Sequence, residues 1–350
     1  MTPRLLGGLS PRAFLRRYWQ KRPHLVRDAL PQFRGLLGER ALAALASRSD
    51  VESRIVQRRG RRWDVTHGPF QRGLRLRQRD ATLLVSGVNL HLAAAERLLR
   101  RFDFIPQARL DDVMVSYATP GGGVGPHVDS YDVFLLQGPG TRRWRVWNPH
   151  GAVAEYRLGP GDMLYLPPGW KHDGVALEPC FTYSIGFRAP RGAELGAAFL
   201  DWLHERGLAD AAYRDPRLEP ARKPAAIPRA MTAFAARVLQ AIRWTPGDAA
   251  RFLGEYLTEP KPHVVFRPAP RRGAPARRDF RLDPKSRLLY AGRRFFINGE
   301  SFVAAGRSAR LLRELADRRV LGGRKLARSP LLALILRWER MGYLHREKHA

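Results

Sequence analysis

An α+β chain, with a β sandwich or barrel at its centre, helices after it and a small mixed unit at its C-terminal end, is the fold class the sequence predicts. Three observations predict it. Short β-rich runs punctuated by Gly and Pro fill residues 110–190, helical periodicity replaces them from residue 191, and a hairpin signal flanked by helical patterns lies within 261–350. The 350 residues are 44% hydrophobic and 27% charged, enough for one large core or two to three smaller ones.

The elements follow in order. VMVSYAT, YDVFLLQ, RRWRVW, GDMLYLPP and CFTYSIGF recur at regular spacing, as strands of a sandwich or barrel do. ELGAAFLDWLHERGL then reads as a helix capped by Gly207. After the Pro-rich DPRLEPARKPAAIPRA, residues Met231, Phe234, Val238, Leu239 and Ile242 recur at helical spacing, and a second short helix runs through GDAARFLGEYL. Helices this short need a partner surface, either in their own domain or in a second copy of the chain. Residues 260–280 form another Pro/Arg linker. Strands are expected around RLLYAG and in RRFFINGESFVA, where Asn298-Gly299 suits the positive φ angles of a tight turn. Helical patterns in SARLLRELADRR and SPLLALILRWERM and the strand-like GYLHRE complete a winged-helix-like unit. The domains drawn from this are 1–205, 206–260 and 261–350.

Composition excludes several function classes. The longest apolar run, 331–336, is far short of the ~18 residues of a membrane-spanning helix. Charges interrupt every candidate apolar core of a signal peptide in MTPRLLGGLSPRAFLRRYWQ, so a cytoplasmic location is expected. The single cysteine, Cys180, excludes an internal disulfide and cysteine-built zinc or iron–sulfur sites, leaving His and carboxylates to hold any metal. A net charge of +30 draws a protein toward RNA, DNA or an anionic surface, yet 55 of the 62 basic residues are Arg in an Ala-, Gly- and Pro-rich chain, which also fits a coding bias. Residues 261–350 alone carry a net +16, so nucleic-acid contact and a merely solvated basic surface are both open there.

One constellation carries chemistry. In GGGVGPHVDSYDVFLLQ, His127 and Asp129 are two apart, and residues two apart on a strand share a face. His172 follows a Pro-Pro-Gly-Trp turn and reaches the pair when the sheet curls into a barrel. Two histidines and a carboxylate form the facial triad of non-haem Fe(II) oxygenases, which leaves positions for a co-substrate and dioxygen. A keto-acid co-substrate such as 2-oxoglutarate needs a cation for its distal carboxylate, and TRRWRVW offers Arg142 on one strand face and Arg143 with Arg145 on the other. Spacing does not choose between the faces. Hydroxyls at Ser116, Thr182 and Ser184 lie on nearby strands and could complete that carboxylate site.

These motifs resemble those of the bacterial jumonji-C-type ribosomal oxygenases. The resemblance rests on PGGGVGPHVDSYDVFLLQGPGTRRWRV, PGDMLYLPPGWKHDGVALE and YSIGFRAP, and upstream on FLRRYWQKRP, VTHGPF and LDDVMVS, covering residues 12–205. It implies a double-stranded β-helix of the cupin type, a helical dimerisation region and a C-terminal winged helix. It further implies Fe(II) held by His127, Asp129 and His172, 2-oxoglutarate and O2 as co-substrates, and Arg142 as the anchor. Asp112 and Tyr131 would hold the target, an arginine of the large-subunit ribosomal protein L-sixteen, hydroxylated at its β-carbon. A homodimer and non-specific RNA contact are the implied associations, with no membrane. Extreme basicity and a shortened Arg/Pro-rich segment before the C-terminal unit depart from the family pattern. Two other readings compete: a winged-helix nucleic-acid-binding regulator with a metal- or metabolite-sensing barrel, and an oxygenase with a different protein or small-molecule substrate.

Overall fold

A computed structural model describes residues 3–148, 150–208, 210–268, 278–326 and 329–347. Helix α1 (Pro11–Arg17) and strand β1 (His24–Val26) precede helix α2 (Glu39–Ala46) and strands β2 (Ser53–Arg59), β3 (Arg62–His67) and β4 (Ala81–Val85). Helix α3 (Ala93–Arg100) leads into β5 (Leu110–Ala118), β6 (His127–Val128), β7 (Val133–Gln137) and β8 (Arg142–Trp147). The chain returns through β9 (Val153–Leu158), β10 (Met163–Leu166), β11 (Lys171–Ala176) and β12 (Cys180–Phe187).

From β5 to β12 the chain is one long hairpin: β5 pairs with β12, β6 with β11, β7 with β10 and β8 with β9, all antiparallel. Successive pairs fall in opposite sheets, so the hairpin winds into a double-stranded β-helix. An eight-stranded sheet, ordered β1-β10-β7-β12-β5-β4-β2-β3, faces a four-stranded one, β6-β11-β8-β9. Because both faces of the larger sheet are covered, β7 and β10 are buried at every residue and read as unbroken apolar runs. Val133, Leu135, Leu164 and Leu166 meet Trp144, Val146 and Leu158 of the smaller sheet. Phe134 and Tyr165 belong instead to the core that includes Phe14, Phe102 and Phe187. Each such side chain contributes about 1.5 to 3 kcal/mol by leaving water.

The expected barrel is therefore present, and it is larger than the pattern from residue 110 indicated. Strands β2 to β4 extend the large sheet by registers such as Val56↔Val65 and Leu84↔Ser116. Arg54, Arg58 and Arg59 break up β2, and β3, in which Trp63 and Val65 alternate with Arg62, Asp64 and Thr66, is largely exposed.

Beyond the barrel lie helices α4 (Gly192–Glu205), α5 (Arg229–Ala241) and α6 (Pro246–Thr258). As expected, α4 stops just before Gly207. Part of the 260–280 linker lies outside the described residues. Strands β13 (Phe280–Leu282), β14 (Leu288–Ala291), β15 (Arg294–Ile297) and β16 (Glu300–Val303) follow, then helix α7 (Gly306–Arg318). Strand β17 (Val320–Leu321), helices α8 (Gly323–Leu326) and α9 (Leu331–Arg340), and strand β18 (Leu344–Arg346) close the chain. Asn298 and Gly299 make the β15–β16 turn with φ of 48° and 90°. This winged-helix unit packs around Phe280, Phe295, Leu312, Leu315, Ile335 and Trp338.

Neither α4 nor α5 buries a residue. The winged-helix unit docks on the barrel through Arg319, whose Nε lies 2.9 Å from Glu96 Oε1 of α3. Among the described residues, no helix is long and apolar enough to cross a membrane.

Candidate metal and co-substrate site

Strand pairing builds the metal site. His127 of β6 and His172 of β11 are direct cross-strand partners. Asp129 lies just past the short strand β6, yet the pairing continues there, with the Gly169 N–H donating to Asp129 O at 2.9 Å. Its carboxylate stands 3.8 Å from His127 Nε2 and 3.6 Å from His172 Nε2. One donor atom from each of the three residues falls within 4.8 Å of the others. Backbone carbonyls orient the rings: Nδ1 of His127 is 2.9 Å from Gly125 O, and Nδ1 of His172 is 2.9 Å from Trp170 O. A proton on Nδ1 frees each Nε2 lone pair for a cation. Burial, with repulsion from His127, pushes the His172 imidazole below its usual value and favours the neutral, ligating form.

The donor set fits Fe(II). Two imidazoles and one carboxylate occupy three positions of an octahedron and leave three open. A closed structural zinc site needs a fourth ligand, and among the described residues no further His, Cys, Asp or Glu joins the cluster.

Strand β8 settles what spacing left open. Arg142, Trp144 and Val146 are buried, whereas Arg145 faces outward and pairs with Glu155 at 3.3 Å. The barrel accommodates the Trp144 indole because Gly174 lies opposite on β11; a Cβ there would come 2.6 Å from the ring. Arg142 is 5% exposed, and its Nε and Nη2 have no hydrogen-bond partner. An unmatched buried guanidinium is costly, and a carboxylate from a bound acid would satisfy it. Ser116 and Ser184 line the same cavity of about 500 Å³ as Arg142 and the three metal-ligand candidates. Thr182 does not line it and donates its hydroxyl to Gln137 Oε1 at 3.3 Å.

Asp112 and Tyr131 also line this cavity. Asp112 Oδ2 accepts the Gly87 N–H at 2.6 Å. Burial, reinforced by neighbouring Asp111, raises the Asp112 carboxyl above its ordinary value. Burial and then the charges of Asp129 and Asp112 push the Tyr131 phenol up to about 12. Behind them, fully buried Asp132 accepts from Tyr165 Oη at 2.6 Å, Gln20 Nε2 at 3.1 Å and Arg109 Nη2 at 3.2 Å, tying the loop to the N-terminal segment.

Sequence reasoning missed part of the wall. Arg54, Trp63 and Val65 from β2 and β3 line the cavity mouth, and so does Lys261 from the linker after α6. Val65 opens the VTHGPF motif, but no local motif marks Arg54, Trp63 or Lys261, which join the site only through sheet pairing and domain docking.

Comparison with known proteins agrees with this geometry. A JmjC domain profile matches residues 97–155 and 149–195, and a ROXA-like winged helix profile matches 241–345. The chain is 38% identical over 273 residues to the ribosomal protein uL16 3-hydroxylase of Escherichia coli, covering 73% of each. It is 36% identical over 208 residues to a probable ribosomal oxygenase of Haemophilus influenzae, covering 53% of this chain and 52% of that protein. The structure of YcfD, a ribosomal oxygenase from Escherichia coli, superposes with a TM-score of 0.81 at 34% identity, covering 97% of this chain and 98% of the other. A further structure of YcfD holds cobalt and 2-oxoglutarate, with TM-score 0.81, 33% identity, and 97% and 99% of the two chains covered.

Proposed function

The chain belongs to the JmjC-domain ribosomal oxygenases and is a 2-oxoglutarate- and Fe(II)-dependent hydroxylase, and from that premise we propose that it hydroxylates an arginine of the large-subunit ribosomal protein uL16 at its β-carbon. The observation that carries the reading is one cavity with a two-histidine, one-carboxylate cluster beside the unmatched guanidinium of Arg142, and the carboxylate of Asp112 in its wall. The uL16 relative supports the choice of substrate.

In this mechanism His127, Asp129 and His172 would hold the iron, which when bound activates dioxygen while 2-oxoglutarate is consumed. Arg142 would bind the distal carboxylate of the keto-acid through charge-assisted hydrogen bonds, helped by Ser116 and Ser184. Asp112 would accept from the substrate guanidinium, with Tyr131 beside it, and so hold the side chain at a fixed depth. Trp144, Val133 and Leu135 keep the reacting end apolar and exclude water.

The proposed organisation is a catalytic unit over 1–205, a dimerising one over 206–260 and a winged-helix unit over 261–350. Support for a homodimer comes from the apolar side chains that α4, α5 and the turn after them leave exposed: Leu200, Met231, Leu239 and Trp244. The net charge of +30 supports salt-sensitive, sequence-independent contact with RNA around the substrate, in the cytoplasm.

Mass spectrometry of an arginine-bearing uL16 fragment, incubated with enzyme, Fe(II), oxygen and 2-oxoglutarate, tests the proposal. One added oxygen on an arginine is expected, and none with His127→Ala. If 2-oxoglutarate is consumed without that modification, uL16 is rejected as the substrate.

A further inference from the structure

The strand that presents Asp112 is left incomplete by its own sheet. Asp111 and Asp112 have no partner in either ladder of β5: β4 pairs only from Val115 onward, and the register with β12 shifts between Ile185 and Phe187. Main-chain groups at such a break need partners from elsewhere. The winged-helix unit supplies them through Arg287, whose Nη1 donates to Leu110 O at 2.9 Å and whose Nη2 donates to Asp111 O at 2.6 Å. Arg287 is itself anchored, its N–H donating to Asn298 Oδ1 of the β15–β16 turn at 2.9 Å.

The Asp111 side chain gathers the same units. Lys261 Nζ lies 3.2 Å, Arg188 Nε 3.3 Å and Arg287 Nη2 3.7 Å from Asp111 Oδ1. Arg188 Nη1 in turn donates to Leu257 O in α6 at 3.0 Å. Three cations from the end of β12, the linker and the winged-helix unit thus meet at one carboxylate. Asp111 lines the cavity, and so does the next residue, Asp112.

We propose that Arg287 is a positioning residue for Asp112: the docked winged-helix unit completes the end of β5 and so sets where the barrel holds the substrate guanidinium. The proposal rests on the reading of Asp112 as a substrate contact. It makes the C-terminal unit part of substrate recognition within its own chain. A half-buried guanidinium spanning two carbonyls suits this role, since its planar fork fixes the spacing of both acceptors.

The test uses the full-length chain with Arg287→Ala and Arg287→Lys. Two quantities are read: the KM for the arginine-bearing uL16 fragment against kcat and the KM for 2-oxoglutarate, and amide exchange at Gly87, whose N–H reports the position of the Asp112 carboxylate. Arg287→Ala is expected to raise the fragment KM about tenfold while kcat and the 2-oxoglutarate KM stay within about twofold. Exchange at Gly87 should quicken about tenfold with core amides of β7 unchanged. Arg287→Lys, which keeps the charge and one donor direction, should recover part of both. Unchanged KM and unchanged Gly87 exchange in Arg287→Ala would overturn the proposal. So would a uniform rise in exchange with equal loss for both substrates, since Arg287 would then only support the fold. If Arg287→Ala does not fold, Arg287→Lys decides by the same two readouts. Should the unaltered enzyme turn over no arginine substrate, the reading of Asp112 fails separately, and Gly87 exchange still decides whether Arg287 holds that carboxylate.

Discussion

His127 and His172 face each other across the β6–β11 pair, with ring centroids 4.2 Å apart. Directly opposed residues of an antiparallel pair share a face, so this register alone brings both imidazoles to one ion. A slip of one residue would turn His172 to the other face and present Lys171 or Asp173 instead.

Removing either ring should therefore abolish the site without unfolding the barrel. His172→Ala is expected to weaken Co(II) binding by more than about 100-fold, beyond the usual loss from altering a ligand's supporting bond. The cobalt absorption spectrum measures this, and far-ultraviolet circular dichroism checks the fold.

Arg142→Met should act with two signs. The KM for 2-oxoglutarate rises by roughly 100-fold, because a bidentate charge-assisted contact is lost. Without 2-oxoglutarate, the unfolding midpoint rises, because a buried cation with no partner at Nε or Nη2 is replaced by an apolar side chain. A midpoint that falls would mean that Arg142 has a counter-charge in the resting protein.

The raised Asp112 carboxyl sets a pH dependence. Only its ionised form pairs with a guanidinium, so the KM for an arginine substrate should climb as pH falls through a value above the ordinary carboxylate pKa of about 3.9. Asp112→Asn should give a KM that is high and nearly pH-independent. The linked stability runs the other way: a carboxyl with a raised folded-state pKa binds its proton more tightly in the native state, so the contribution is present at low pH and is lost as pH rises through that value. Steady-state kinetics and thermal unfolding across pH check the two signs.

In the proposed homodimer, Trp244, 57% exposed, would be an aromatic anchor of the helical interface. Trp244→Glu should weaken self-association by roughly 30-fold or more, read by sedimentation equilibrium.

Glu96→Gln would leave Arg319 buried without its counter-charge, although Arg319 still donates to Ser286 O and Asp283 O. Breaking one side of such a pair costs about 3 to 5 kcal/mol. Denaturant unfolding should register that loss, together with looser docking of the winged-helix unit.

Much of this was legible in the residues themselves. Unbroken runs such as VFLLQ and MLYL mark strands covered on both faces, and the ordered set of H-x-D, a basic strand and PPG-x-x-H marks a metal site, because each depends on local periodicity and spacing. The same holds for the Asn298-Gly299 turn and for helices α4 to α7 and α9, whose apolar periods are intact. Strands β2 to β4 were not read: Arg54, Arg58 and Arg59 break up β2, β3 is largely exposed although Trp63 and Val65 alternate with polar neighbours, and β4 is a five-residue apolar run that periodicity alone does not tell from a helical segment.

By itself, then, the sequence determined which side chains are present for chemistry and on which local elements they ride. Only the tertiary structure decided which face of β8 turns inward, so that Arg142 and not Arg143 meets the cavity, since a strand's period places residues on two faces without saying which is buried. It alone brought Arg54, Trp63 and Lys261 to the cavity and Arg287 to the end of β5, because those contacts join segments far apart in the chain, through pairings that no local pattern encodes.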